Sequence, residues 1–151
     1  MALTETPKIP DFDLAVTGGG RLSARDLEGL RTVLYFYPKD DTPGCTLEGK
    51  EFSGLLDEFA AKGVRVYGVS ADSVESHHAF QTGCDLTVPL VSDEGHHLAE
   101  ALGAWGEKSM YGKTYVGVLR TTFLVGPQGE IQREWRDVKP QGHAAEVLAS
   151  L

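Results

Sequence analysis

At 151 residues the chain is long enough for one domain with a real core and too short for two. Apolar residues at 41% and charged residues at 24% fit a soluble globular protein, and no run approaches the roughly 18 apolar residues that cross a membrane. A formal charge of −8, from 14 basic and 22 acidic side chains without a dense Lys/Arg block, argues against a nucleic-acid partner, and two cysteines are too few for a disulfide scaffold or a metal finger.

Met1 to Pro10 lacks the basic-then-apolar order of a secretory signal, so the cytoplasm is the expected compartment. Phe12 to Val16 alternates as a strand does, Gly18, Gly19 and Gly20 make a turn, and Arg21-Leu22 can return, which predicts an N-terminal hairpin. The three glycines lack the GxxxxGK[ST] spacing of a phosphate-binding loop. Ser23 can cap a short helix through Glu28. Thr32 to Tyr37 is a continuous apolar, β-rich run and predicts a buried central strand.

A helical pattern follows from Pro43 to Lys62, with Leu47, Phe52, Leu55 and Phe59 at helical spacing and Gly63 as the stop. Val64 to Ser70 is strand-like, Asp72 or Ser73 opens a helix towards Gly83, and Val88 to Val91 is a short strand. His96 to Leu102 reads as a brief helix, followed by a long loop that holds Trp105, Met110 and Tyr111. Arg120 to Val125 and Ile131 to Trp135 flank Pro127-Gln128-Gly129 as a hairpin. Ala145, Val147, Leu148 and Leu151 mark a last amphipathic helix. Alternating strands and helices closed by a hairpin and a helix predict an α/β domain with a mixed sheet.

The chemistry concentrates around Cys45. Pro43 suits the first position of a helix, which puts Cys45 in the first turn, where free N–H groups and the helix dipole favour an anion. Thiols in such places titrate between about 3.5 and 7.5 rather than near 8.5, and the thiolate is the nucleophile. Asp40, Asp41 and Glu48 oppose this with nearby negative charge, so a cation is needed. Lys39 and Lys50 are local candidates and Arg120 a distant one. Arg120 opens a strand-like apolar run, where a charge needs a partner, although an exposed strand end would also accommodate it. Glu48 follows Cys45 by one helical turn on nearly the same face and also suits the dipole as a first-turn acid. Thr42 can cap the helix and Pro38 can end the preceding strand.

Other residues have plainer readings. Cys84 can be a small buried thiol. His77-His78, His96-His97 and His143 lack metal-ligand spacing and are expected to be solvated surface residues. Trp105, Met110, Tyr111 and Phe123 can line a pocket or belong to the core.

Pro38, Thr42 and Cys45 form a Pro-x-x-x-Thr-x-x-Cys signature that resembles that of the peroxiredoxins. The stretch Asp41-Thr42-Pro43-Gly44-Cys45-Thr46-Leu47-Glu48-Gly49 is similar to the bacterioferritin comigratory protein (peroxiredoxin Q) branch. So, in the expected order, are Ser70 to Glu75, Ser92-Asp93, Met110-Tyr111-Gly112-Lys113 and Arg120-Thr121-Thr122-Phe123-Leu124-Val125. The resemblance covers nearly the whole chain. It implies a single domain over 1–151 with a thioredoxin-like fold, a central mixed sheet flanked by helices, and the N-terminal hairpin as an extension.

The resemblance also implies a thiol-dependent peroxidase, in which the Cys45 thiolate attacks the O–O bond of hydrogen peroxide or an alkyl hydroperoxide and becomes a sulfenic acid. Arg120 would face the sulfur, Glu48 would orient Arg120, Thr42 would touch both sulfur and peroxide, and Pro38 would shield the site from water. Backbone N–H groups of Gly44 and Cys45 would stabilise the charge that develops. No metal, haem or flavin is implied. The implied reductant is thioredoxin or a similar dithiol, and the branch is often monomeric.

The chain departs from the commonest form of the branch, which places a resolving cysteine five residues after the first; that position is Lys50. Cys84 lies 39 residues downstream, near the end of the predicted third helix, where some members of the branch carry the resolving thiol. The resemblance thus implies an intramolecular Cys45–Cys84 disulfide. Its Cα atoms must come within about 4.4–6.8 Å, so local unwinding is expected. Two alternatives stay open: a one-cysteine peroxidase with Cys84 idle, and a redox-sensing module without efficient turnover. A disulfide oxidoreductase would show Cys-x-x-Cys, and Glu48 stands at that spacing.

Overall fold

The structure, a computed structural model, describes residues 7–110 and 112–151, with Met110 described by its backbone alone. Among these residues the strands in chain order are β1 (Asp13–Val16), β2 (Gly20–Ser23), β3 (Arg31–Phe36), β4 (Val64–Ser70), β5 (Leu90–Ser92), β6 (Trp105–Met110), β7 (Lys113–Val118), β8 (Thr121–Val125) and β9 (Ile131–Trp135). The helices are α1 (Pro43–Gly54), α2 (Leu56–Ala61), α3 (Val74–Cys84), α4 (His97–Ala101) and α5 (His143–Ala149), with a 3-10 turn at Ala24–Leu27. Seven strands make one mixed sheet in the order β2-β1-β5-β4-β3-β8-β9. β3 pairs in parallel with β4 and antiparallel with β8.

The apolar run predicted as a central strand is buried on both sides. Val33, Tyr35 and Tyr37 join a cluster with Phe52 of α1, Phe59 of α2, Phe80 of α3 and Val147 of α5. Leu34 and Phe36 join a second cluster with Leu27, Leu98 of α4, Phe123 and Val125. Two-sided burial is why β3 reads as continuous rather than alternating, and each large side chain so buried contributes about 1.5–3 kcal/mol. Packing is close enough that a Cβ on Gly68 of β4 would stand 2.7 Å from the Tyr35 ring.

The N-terminal hairpin is present, and it is a continuous part of the main sheet, because β1 pairs with β5. Gly18 and Gly19, at φ +96° and +88°, supply a turn that other residues would strain to make.

Three expectations need correction. The helix predicted from Pro43 to Lys62 is two helices, broken at Leu55, whose backbone leaves the helical region at φ −109°, ψ 6°. Gly54 weakens the helix there, and the Ser53 hydroxyl is drawn outward to accept the N–H groups of Thr87 and Val88. The expected long loop after Gly103 is a β6–β7 hairpin outside the main sheet. The strand predicted at Val88 to Val91 begins at Leu90, after Pro89, which has no N–H to give to a ladder.

Candidate active site

β3 delivers the chain to Pro38, and a five-residue turn leads into α1. Thr42 holds the N-cap position with extended backbone, and Pro43, Gly44 and Cys45 make the first turn. The first bond of the helix ladder runs from the Thr46 N–H to the Thr42 carbonyl at 2.8 Å. The N–H groups of Gly44 and Cys45 precede it and stand outside that ladder, at the positive end of the helix dipole. Cys45 is a free thiol with 1% of its surface exposed.

Arg120 arrives from just before β8. Its Nη2 donates to the Cys45 sulfur at 3.3 Å, and its Nη1 donates to Glu48 Oε1 at 2.9 Å. One planar guanidinium thus clamps two side chains a helical turn apart, a geometry that lysine does not have. Glu48 is buried, and burial pushes its carboxyl up to about 7, although the charge and hydrogen bond of Arg120 pull the other way. Glu48 Oε2 has no hydrogen-bond partner among the described residues. Gly44 completes the clamp by having no side chain, since a Cβ there would stand 2.8 Å from Arg120 Nη2.

The structure therefore brings Cys45, Gly44, Glu48 and Arg120 together. Thr42 is in place at the N-cap but makes no side-chain cap bond; its hydroxyl donates instead to the Lys39 carbonyl at 2.9 Å. That uses its only hydrogen and leaves the oxygen as an acceptor. Pro38 is half-buried at the strand end.

Cys84 is the last residue of α3, half-buried, with its sulfur 3.9 Å from Asp41 Oδ1. The residue after it, Asp85, has left-handed backbone at φ 54°. A cleft lined by Asp40, Asp41, Ser76, Phe80, Gly83 and Cys84 runs between the turn before α1 and the body of α3.

The histidine expectations fail at two positions. His77 is fully buried: its Nδ1 lies 2.7 Å from Asp40 Oδ2 and its Nε2 2.9 Å from the Val91 carbonyl. It was unreadable as core because His78 beside it is exposed and the pair looks like a polar surface run. Asp40 also accepts from the Tyr37 hydroxyl at 2.6 Å and from Ser76 Oγ at 2.8 Å. Burial raises the Asp40 pKa, but the hydrogen bonds from His77 and Tyr37, with the charge of His77, outweigh it and hold the carboxyl below its usual value. Asp72, His77 and Asp40 put ligand-type atoms within 4.8 Å of one another, and these atoms are all engaged in hydrogen bonds. His143 is also buried, between Thr122 Oγ1 at 2.8 Å and Glu146 Oε1 at 3.1 Å.

One charged residue near the site had no signal in the sequence. Lys108 of β6 is half-buried, with its Nζ donating to the Val118 carbonyl at 2.8 Å. Burial first, and the charge of Arg120 second, push its ammonium below the ordinary value, while Cys45 acts in the opposite direction. Lys108 thus shares an electrostatic neighbourhood with both. Phe123 is buried in the second core cluster and edges a cleft with Ala101, Leu102 and Ile131, whereas Cys45 belongs to the first cluster, and Trp105 is half-buried against His96, ring to ring at 3.7 Å. Tyr111 and the Met110 side chain, the other candidate pocket residues, lie outside the described residues.

Comparison with known proteins identifies the family. The family model of the AhpC/TSA family matches residues 6–134. Peroxiredoxin Bcp of Xanthomonas campestris is 47% identical over 141 residues, covering 93% of this chain and 88% of that protein. Peroxiredoxin Bcp of Escherichia coli is 40% identical over 139 residues, covering 92% and 89%. A solved structure of the Xanthomonas campestris bacterioferritin comigratory protein, studied for alkyl peroxide reduction, superposes with a TM-score of 0.88 at 44% identity, covering 99% of this chain and 95% of that one. The sheet and helices are those of the thioredoxin-like fold. A buried thiol at a helix start, with an arginine on its sulfur, is thus found in a chain that belongs to the AhpC/TSA family, among its Bcp-type (peroxiredoxin Q) members, which are thiol-dependent peroxidases.

Proposed function

We propose that Cys45 is the peroxidatic nucleophile, acting on hydrogen peroxide and alkyl hydroperoxides. The observation that carries this reading is the 3.3 Å contact from Arg120 Nη2 to the Cys45 sulfur, with the other arm of the same guanidinium on Glu48. A cation directed at the sulfur favours the thiolate, and in a site shielded by Pro38 that attraction is stronger than in water. The thiolate attacks one oxygen of R–O–O–H, an S–O bond forms as the O–O bond breaks, and R–O⁻ leaves to take up a proton as alcohol or water. Charge moves from sulfur to the leaving oxygen along the line that Arg120 and the N–H groups of Gly44 and Cys45 border, where preorganised donors lower the barrier most. The Thr42 oxygen, left as an acceptor, suits the peroxide O–H. Lys108 adds positive charge to the same region.

Cys84 is the resolving thiol in this reading. It attacks the Cys45 sulfenic acid, the S–S bond forms, and the sulfenic oxygen leaves as water with the thiol proton. Support comes from its place in the last turn of α3, between exposed Gly83 and exposed Asp85, across a cleft from the turn that leads to Cys45. Thioredoxin or a similar dithiol then reduces the disulfide, and the protein works as a monomeric, single-domain cytoplasmic enzyme with no cofactor beyond its thiols. Among the described residues no helix is long and apolar enough to cross a membrane.

Intact mass after one equivalent of peroxide, without reduction, tests the scheme. Wild type should lose two hydrogens at monomer mass, and Cys84→Ser should instead gain oxygen on Cys45. If wild type gains oxygen while Cys84 stays free, the resolving role is wrong. Turnover with a dithiol donor then separates a one-cysteine peroxidase from a sensor.

A further inference from the structure

Oxidation to a Cys45–Cys84 disulfide requires both ends to loosen, since Cys45 is buried in the first turn of α1 and Cys84 closes the last turn of α3. Something must keep the two loosened segments facing each other. The Asp40–His77 pair is built where such a fixed point is needed. Asp40 precedes Cys45 by five residues and His77 precedes Cys84 by seven.

The pair is tied down on every side. His77 Nε2 must carry a hydrogen, because the Val91 carbonyl can only accept, and Nδ1 shares another with the Asp40 carboxylate. Asp40 accepts further from Tyr37 and Ser76, and its backbone N–H donates to Asp72 at 2.8 Å. The pair therefore fastens the turn before α1 and the start of α3 to strands β4 and β5 through groups that bury their polar atoms. By contrast, Thr82, Gly83 and Asp85 at the far end of α3 are exposed, and Cys84, half-buried against the core, makes one weak polar side-chain contact, with Asp41.

We propose that His77, through Asp40, is a positioning residue for disulfide formation: it pins the two elements while their cysteine-bearing ends unwind, so that Cys84 searches for the Cys45 sulfenic acid on short arms. This rests on Cys84 as the resolving thiol. With the pin in place, the arms that must close are five and seven residues long. Without it the turn before α1 and the start of α3 gain freedom of their own, and the effective concentration of Cys84 at the Cys45 sulfenic acid falls. The peroxide step, which uses Arg120 and the helix start, is unaffected.

The test is single-turnover kinetics on the full chain. The rate of the first phase rises with peroxide concentration and reports sulfenic acid formation; the second is independent of peroxide and reports resolution. His77→Leu should slow the second phase severalfold, leave the first unchanged, and accumulate sulfinic acid on Cys45 at lower peroxide. His77→Asn, which keeps a donor towards Asp40, should restore most of the second phase. Ser76→Ala removes one bond to Asp40 from a half-buried position and should slow the second phase in the same direction, which decides the matter if His77→Leu does not fold. Resolution at the wild-type rate or faster in these variants, or an equal loss in both phases, overturns the positioning role. Failure of wild type to form the disulfide at all overturns instead the resolving role of Cys84, so the two failures are distinct.

Discussion

Arg120 occupies the space that a side chain at Gly44 would fill. Its Nη2 lies 2.8 Å from where a Cβ would be, and Pro140 Cγ bounds the other side at 3.3 Å. The guanidinium cannot retreat without giving up Cys45 or Glu48. Gly44→Ala should therefore leave the fold intact and displace the cation from the sulfur. A charge-assisted hydrogen bond of about 1.5–3 kcal/mol is at stake, so the second-order rate with peroxide should fall by about 10- to 100-fold. A rate within twofold of wild type, measured by stopped flow, would show that the arginine contact is dispensable.

Glu48 gives the site a pH dependence of known sign. Its folded pKa of about 7 exceeds the ordinary 4.5, so between these values the folded form keeps a proton that the unfolded chain has released. Stability must then fall as pH rises through this window, by about 3 kcal/mol in all. Glu48→Gln carries no such charge and should lose that slope. Urea unfolding of both proteins at about pH 5 and about pH 8 checks this, and equal slopes would sink the assignment.

Asp40 has the opposite sign. Its folded value is held below the usual 3.8, so its contribution to stability is complete above that value and disappears as pH falls through the lower folded value. Asp40→Asn should be less stable than wild type at neutral pH by about 1–3 kcal/mol. It should also unfold less steeply in acid. An unchanged acid transition followed by circular dichroism would contradict the pairing with His77.

The parts of the molecule that were legible in the sequence are those that burial makes regular. β3 read correctly because two-sided burial leaves an unbroken apolar run, β4 because buried Val64, Val66 and Val69 make a strand-forming stretch around Arg65, and α1 announced its start through Thr42 and Pro43. The clamp was only half legible: the need for a cation near Cys45 follows from Asp40, Asp41 and Glu48, but which cation depends on β8 lying beside β3, a long-range fact. The β6–β7 hairpin was missed because most of its residues face solvent, so no core selects a period, although Tyr115, Val116 and Val118 are ordinary strand formers. His77 was missed for a related reason. A single buried polar residue on a helix leaves no periodic trace, and its meaning appears only with Asp40 and Val91 around it.

Asp85 follows Cys84 in a left-handed conformation that a glycine would adopt more freely still, and its N–H, with that of Leu86, closes the helix on the Gln81 carbonyl. That cap has to open when the end of α3 melts. In the proposed cycle the strength of that cap acts as a clock setting, because it sets how long the sulfenic acid on Cys45 is exposed to further oxidant or to another protein. A glycine at position 85 would lengthen that interval without touching a single atom of the reacting centre. In that cycle the balance between scavenging peroxide and passing on its signal is set in part by the backbone angle of one residue beyond the second cysteine.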